Sequence, residues 1–90
     1  MEQVIYKYEL NVGETAVKTS LAIAKILHVG LDGNNNICVW ILHYVDLPKA
    51  NTLWFSTYMT GQTIHEDIMN KLYLGTIIHP NGFVTHTFGA

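Results

Sequence analysis

The chain has 90 residues, which predicts a single domain over residues 1–90, and its formal net charge is −2. Hydrophobic residues make up 49% of it and charged residues only 13%, against about 25% in a typical domain, so we expect a homo-oligomer that covers apolar surface. The chain has no arginine and only five scattered lysines, which argues against duplex nucleic acid as a partner.

Two alternating segments open the chain. Val4–Leu10 alternates apolar with polar residues and predicts a strand with one face in water. A turn over residues 11–14 follows, and Thr15–Leu21 alternates again as a second strand.

The central hairpin is the strongest structural signal. Ala24–Leu31 and Ile37–Val45 read as strands, and the intervening Asp32-Gly33-Asn34-Asn35-Asn36 segment contains residues that accept positive φ. Ile37–Val45 is apolar on both faces, so it needs cover on two sides. We expect one face to pack in the core and the face with Trp40 to meet another subunit or a ligand.

A loop, a strand and a helix are predicted next. Pro48 predicts a loop over residues 46–51, and Thr52–Thr60 reads as a strand rich in aromatic and hydroxyl side chains. Thr63 and Glu66 have the spacing of a capping box, which predicts a short helix. The apolar positions of that helix are Ile64, Ile68 and Leu72.

The last segments predict a second hairpin. Tyr73–His79 and Phe83–Phe88 read as strands around a tight turn at residues 80–82. The whole pattern is mainly β, of a β-rich α+β kind. We expect a small antiparallel sandwich or barrel of six or seven strands with one short helix.

The single cysteine and the apolar runs bear on compartment. Cys38 offers no disulfide or zinc framework and is interpreted as a small buried hydrophobe. Glu2, Lys7 and Glu9 argue against a secretion signal, and no apolar run reaches the roughly 18–20 residues that span a bilayer. We expect a soluble, cytoplasmic protein with no membrane partner.

Histidine is the one chemically suggestive residue in the composition. None of the five histidines has a recognised metal-ligand spacing, so no metal site and no cofactor are predicted. His28 and His43 could face each other across the hairpin and bind a metal with a third ligand. The alternative is that strand histidines bond to backbone or water.

Catalytic patterns are absent from the sequence, so no catalytic residue is predicted. His65 has an acidic neighbour in Glu66, but adjacent helical residues do not face each other, and helix capping explains both. A phosphodiesterase that acts through His65 or His86 is the third alternative for function.

Aromatic and hydroxyl side chains predict a binding surface. Aromatic rings stack on bases, hydroxyls hold ribose or phosphate, and the N-terminus of the predicted helix would attract an anion. The competing interpretation places the aromatics in the core or in cross-strand pairs. The predicted ligand-binding residues are Trp40, Trp54, Tyr58, Thr60, Thr63, His65 and His86.

Six segments along the chain form a recognisable set. They are Ile5-Tyr6-Lys7-Tyr8 with Leu10, Ala24–Val29, Cys38-Val39-Trp40, Thr60-Gly61, Tyr73–Thr76 and Phe83-Val84-x-His86-x-Phe88. With them the chain resembles a family of small proteins of unknown function encoded by tailed phages and some bacteria. It departs at Gln62, where similar sequences often carry His followed by Pro, and in its longer predicted helix.

The resemblance implies a phage gene product without an established activity. By analogy, and not by a motif match, small β-rich phage domains that assemble around pockets are similar to sponge proteins that sequester nucleotide immune signals. We therefore expect an anti-defence protein that binds a small cyclic or ADP-ribose-type nucleotide in the infected bacterial host. The alternative is a non-enzymatic protein-interaction or virion accessory module.

Overall fold

The computed structural model describes residues 1–89, and its five antiparallel strands form one open sheet. The strands are β1 (Gln3–Glu9), β2 (Gly13–Leu31), β3 (Ile37–Met59), β4 (Leu72–Ile78) and β5 (Val84–Gly89). β3 is central: it pairs with β2 along most of its length, with β1 over its first residues and with β5 over its last. β4 pairs with β5. The prediction of a mainly β fold is confirmed.

Two predicted breaks between strands are absent, so the expected six or seven strands become five. Thr15–Leu21 and Ala24–Leu31 both belong to β2, while Ile37–Val45 and nearly all of Thr52–Thr60 belong to β3. The expected loop over residues 46–51 is extended instead. Pro48 pairs with Leu21, where the register shifts, and proline is tolerated at such irregular positions because the regular ladder is interrupted there.

Irregular pairing bends both long strands. The 23 residues of β3 would span roughly 75 Å if straight, yet the longest dimension of the fold is 43 Å. Four register shifts between Thr19 and His28 of β2 supply the bend. The sheet folds over until Gly75 of β4 lies against Val29 of β2. One bent open sheet therefore replaces the predicted sandwich or barrel.

The predicted helix over 63–72 is wrong, because residues 60–71 form turns and bends and no helix occurs within residues 1–89. A two-turn helix has a costly nucleus. Here its capping groups have other partners: the Glu66 carboxylate accepts hydrogen bonds from Tyr58 and Lys71. Asp67 Oδ1 accepts the Met69 N–H at 2.9 Å, a local bond that competes with helix formation.

The hydrophobic core lies inside the bend and draws on β2, β3 and β4, with Leu10 added from just beyond the end of β1. It places Phe55 from the second half of β3 with Val39 and Ile41 from the first half. The expectation that one face of Ile37–Val45 packs in the core is confirmed. The buried apolar residues of the core are Leu10, Val17, Val29, Ile37, Val39, Ile41, Phe55 and Ile77.

Asp32 organises the turn between β2 and β3, which confirms the predicted hairpin. Its Oδ1 accepts the backbone N–H groups of Asn34 and Asn36, each at 2.9 Å. Its Oδ2 lies 2.9 Å from the Lys7 ammonium, which ties β1 to the turn. Asn35 adopts a φ of 62°, a left-handed conformation that asparagine tolerates. The Lys7 hydrogen bond and these backbone bonds lower the pKa of Asp32, and the same pair raises the pKa of Lys7.

His43 is a fully buried polar residue at the bend. The Leu21 carbonyl can only accept, so His43 Nδ1 donates to it at 3.2 Å, and Nε2 then accepts from the Tyr8 hydroxyl at 2.8 Å. Burial raises the pKa of Tyr8, which keeps that phenol in its donating form. His43 thereby satisfies a carbonyl located where β2 and β3 change register.

Asp32→Asn is expected to lower the urea midpoint of unfolding near neutral pH. The folded pKa of Asp32 is lowered, so its stabilisation is present above the ordinary pKa of 3.8 and is lost as pH falls. The difference from the wild-type protein should therefore shrink steadily below pH 4. Urea titrations across that range measure it, with Asp46→Asn as the control on an exposed position. A pH-independent difference would contradict the assignment.

His43→Leu is expected to lower the free energy of unfolding by about 2 to 4 kcal/mol. The substitution leaves the Leu21 carbonyl and the Tyr8 hydroxyl without their partner in the interior, and each buried unsatisfied group is costly. Denaturant unfolding measures the change. His65→Leu is the control, since His65 is exposed and its replacement should change stability by about 0.5 kcal/mol or less.

Candidate functional site

One face of the sheet gathers aromatic, hydroxyl and charged side chains. In β3, Phe55 and Thr57 point into the core, so Trp54, Ser56 and Tyr58 point to the opposite face of the sheet, where Ser56 is covered and only 3% exposed. Pairing with β5 and β4 places Tyr58 beside His86, and His86 beside Thr76. We call the following set the aromatic face: Trp54, Ser56, Tyr58, Thr60, Tyr73, Thr76, His86 and Phe88.

Three aromatic rings contact one another across this face. The ring centroids of Tyr58 and Phe88 are 6.2 Å apart, and those of Tyr73 and Phe88 are 5.5 Å apart. Tyr73 remains 54% exposed, and Trp54, on the same face opposite Ala16, is 51% exposed. The face thus presents accessible aromatic surface held in place by cross-strand contacts.

His86 is oriented by two threonine hydroxyls. Its Nε2 lies 2.7 Å from Thr60 Oγ1, and its Nδ1 lies 2.9 Å from Thr76 Oγ1. The Thr76 hydroxyl also bonds to the Tyr73 hydroxyl. A neutral imidazole donates from one nitrogen and accepts at the other, so hydroxyls on both sides fix the ring without choosing its tautomer.

A second polar cluster borders the rings where residues 60–71 cross the sheet. Lys71 Nζ donates to Ser56 Oγ at 3.0 Å and to Glu66 Oε1 at 2.9 Å, and Tyr58 donates to the same carboxylate. The hydrogen bond from Tyr58, followed by that from Lys71, lowers the pKa of Glu66. The hydrogen bond to Glu66 raises the pKa of Lys71 and that of Tyr58.

These protonation states bear on the chemistry of the Ser56–Lys71 pair. A serine beside a lysine forms a nucleophile and base only when the amine is neutral. The raised pKa of Lys71 keeps it as an ammonium that donates to Ser56. The arrangement therefore offers hydrogen-bonding groups held in place around the Lys71–Glu66 ion pair, which suit the binding of a polar ligand.

The predicted ligand-binding residues fall into three groups. Tyr58, Thr60 and His86 lie together on the aromatic face, and Trp54 lies on the same face. Thr63 and His65 are exposed in the segment over 60–71, without the helix N-terminus that was expected there.

Trp40 lies apart from this group. It belongs to the first half of β3, between Lys7 of β1 and His28 of β2, with its ring 5.9 Å from that of His28. Trp40 and Trp54 belong to two separate strands in the sequence prediction, but β3 continues through residues 46–51 and carries both.

Half of the aromatic face lies outside the predicted set of ligand-binding residues, namely Ser56, Tyr73, Thr76 and Phe88. Ser56 had no base nearby in sequence, and the Lys71–Glu66 ion pair depends on turns that replaced the predicted helix. Tyr73, Thr76 and Phe88 carried a usable signal, since they alternate within the two predicted strands of the last hairpin. Thr57, a hydroxyl residue of the predicted Thr52–Thr60 strand, faces the interior and bonds to Thr87 at 2.9 Å.

The histidine pair considered for metal binding is separated. His28 pairs with Trp40 and lies over Gly30, whereas His43 pairs with Ile23 and is buried. Among residues 1–89, no group of three or more His, Cys, Asp or Glu side chains is placed to hold a metal ion. The same residues include no helix long and apolar enough to cross a membrane.

Glu66→Gln is expected to lower the pKa of Tyr58 toward its ordinary value of 10, because the neutral amide no longer opposes ionisation of the phenol that bonds to it. Carbon-13 NMR of the tyrosine rings measures each pKa separately. Asp67→Asn is the control, a charge removed from the same segment without contact to Tyr58. An unchanged pKa of Tyr58 in Glu66→Gln would refute the contact.

Comparison with known proteins places the chain in a family. The family model described as a domain of unknown function, DUF7352, matches residues 1–90. Neither the curated proteins nor the solved structures gave a match. Because the match covers the whole chain, this protein belongs to the DUF7352 family.

Proposed function

We propose that the protein is a homo-oligomeric binding protein that sequesters a small nucleotide on the aromatic face and does not transform it. The nucleotide class is cyclic or ADP-ribose-type, and the setting is a phage-infected bacterium in which the nucleotide serves as an immune signal. One observation carries the proposal. Exposed aromatic rings lie beside fixed hydroxyl, imidazole and ammonium donors on a single sheet face.

The rings supply the stacking surface. Trp54 and Tyr73 are each about half exposed, and between them lie the rings of Tyr58, on β3, and Phe88, on the neighbouring β5. Every base has a π face, so such a surface favours nucleotides over purely aliphatic ligands. Four aromatic positions on three neighbouring strands also leave room for a ligand with two bases, as in a cyclic dinucleotide.

The polar groups supply contacts for ribose and phosphate. With no arginine in the chain, a phosphate must be held by lysine, hydroxyl or backbone N–H groups. The Lys71 ammonium is available on this face, though an incoming phosphate would have to share it with Glu66. Thr60, Thr76 and His86 offer additional hydroxyl and imidazole contacts.

A protein that sequesters a nucleotide on one open sheet needs a second copy to enclose it. Tight small-molecule sites commonly bury 70–90% or more of the ligand, and a single open sheet covers only one side of it. A second copy of the chain would cover the other side. The low charged fraction, 13%, supports such an assembly.

The second candidate is a non-enzymatic protein-interaction or virion accessory module. Leu72 and Ile78 of β4 are 59% and 78% exposed beside the aromatic face. Interfaces between proteins are enriched in Tyr, Trp, Phe and Met, and such a mixture would also suit a protein partner.

Release of bound molecules separates the two candidates. Protein purified from bacteria that produce nucleotide signals is denatured, and the supernatant is analysed by mass spectrometry. A stoichiometric nucleotide supports sequestration. No released nucleotide, together with no thermal shift against cyclic dinucleotides and ADP-ribose derivatives, contradicts it, and a stoichiometric protein captured from host lysate would favour the module.

Trp54→Ala is expected to weaken nucleotide binding by about tenfold to a hundredfold, the usual effect of losing one base–aromatic stack. Isothermal titration calorimetry with the nucleotide identified above measures it. Phe83→Ala is the matched control, because Phe83 is similarly exposed, at 56%, but lies in the turn before β5. Equal losses in both variants would place the ligand elsewhere.

A further inference from the structure

β1 is an edge strand whose outer backbone groups have no partner within residues 1–89. Two hydrogen bonds bracket its ladder with β3: Val45 N–H donates to the Glu2 carbonyl, and Leu10 N–H donates to the Ile37 carbonyl. Backbone groups alternate in direction along a strand, so the even-numbered residues of β1 bond to β3. The N–H and C=O groups of Gln3, Ile5, Lys7 and Glu9 therefore point away from the sheet.

The other two edges carry features that oppose pairing. β2 has four register shifts between Thr19 and His28, and its regular stretch before them, Gly13–Thr19, carries the exposed charged residues Glu14 and Lys18. β4 is irregular between Tyr73 and Gly75 and ends just before Pro80. Bulges, lysine and proline are the features that keep edge strands from pairing. β1 pairs with β3 in one unbroken register over seven residues.

We propose that two copies of this chain pair antiparallel through β1, with Tyr6 on the twofold axis. In this register Ile5 lies opposite Lys7 of the second copy, and Gln3 lies opposite Glu9. All four outward residues then sit at hydrogen-bonded positions, so every unpaired N–H and C=O of the edge gains a partner. The sheets of the two copies join into one.

The charges select this register. A shift of the axis to Lys7 would place two ammonium groups directly opposite each other, which is unfavourable. A shift of the axis to Ile5 or Tyr8 shortens the overlap and leaves outward groups unpaired. With the axis at Tyr6, each Lys7 faces an isoleucine and keeps its own Asp32 at 2.9 Å.

Apolar exposure supports the same axis. Tyr6 points to the inner side of β1 with Tyr8, yet it is 47% exposed because it lies at the rim of the core. Ile5, on the outer side, is 55% exposed. Pairing about Tyr6 brings the two Tyr6 rings together and places Ile5 against the aliphatic stem of Lys7, which covers apolar surface on both faces.

This pairing deepens the homo-oligomeric part of the proposed function and does not depend on the nucleotide. β1 lies beside the first half of β3, and the aromatic face belongs to the second half. The dimer would therefore carry two separate aromatic faces, each open to a ligand or to another dimer.

Light scattering and crosslinking test the pairing. The wild-type protein should have a molar mass of at least twice the 10.2 kDa of one chain. Ile5→Pro removes one outward N–H without touching the ladder to β3, and it should weaken the dimer by about tenfold or more. Circular dichroism checks that this variant keeps its strands.

Tyr6→Cys should form a disulfide-linked dimer under mild oxidation. The axis places the two Tyr6 residues as a non-hydrogen-bonded pair, with Cα atoms about 4.5 Å apart, within the range that a disulfide spans. Gln3→Cys is the matched control, since Gln3 faces Glu9 and lies far from its own copy. The Tyr6→Cys variant tests the register even if Ile5→Pro fails to fold.

Three results would overturn the pairing. A molar mass near 10.2 kDa at all concentrations excludes it, as does a Gln3→Cys protein that crosslinks as fast as Tyr6→Cys. A dimer of unchanged affinity in Ile5→Pro would also exclude β1 as the interface, while leaving a homo-oligomeric binding protein in place.

Discussion

The continuous pairing of β2 with β3 is the interaction on which the rest of the structure depends. Every other strand either pairs with β3 or, in the case of β4, pairs with the strand beside it. The register shifts within this long pair set the bend, and the bend creates the core by bringing Val29 against β4. His43 shows how tightly the bend is specified, since its imidazole satisfies the Leu21 carbonyl at the point of irregularity. The aromatic face forms where the second half of β3 pairs with β5.

Much of the fold was predictable from local signals. The alternation of Val4–Leu10, the Asp32–Asn36 turn and the last hairpin can each be read from a few consecutive residues, and all three are present. The continuity of β3 through Pro48 could not be predicted, because a bulge opposite Leu21 decides it and no local residue reports that pairing. The capping box at Thr63 is a local signal that tertiary contacts overrode: Glu66 bonds to Tyr58 and Lys71 in place of a helix N-terminus.

The candidate site also contains a part that local sequence patterns predict and a part that they do not. Tyr58, Thr60 and His86 lie on or next to strands that the sequence predicts, and the structure brings the three together. Lys71 and Ser56 meet only because the segment over 60–71 crosses the sheet, which sequence spacing does not encode. Trp40 is a residue that the sequence assigns to the site and the structure does not. Trp40 lies in the first half of β3, beside β1, whereas Trp54 lies in the second half, near β5.

The Asp32 turn has a consequence for how the chain folds. Within residues 1–89 it joins the two strands whose ladder begins at a short turn and then extends through most of the sheet. Closing such a short loop is fast, whereas the residues of β1 pair with residues of β3 that lie 29 to 41 positions away in the sequence. We therefore expect the β2–β3 hairpin to form first and to grow away from Asp32 before β4 and β5 cover the core. Until then the edge of β3 that later pairs with β1 and β5 stays open, so the time that these strands take to dock sets how long an aggregation-prone edge is exposed in a newly made chain.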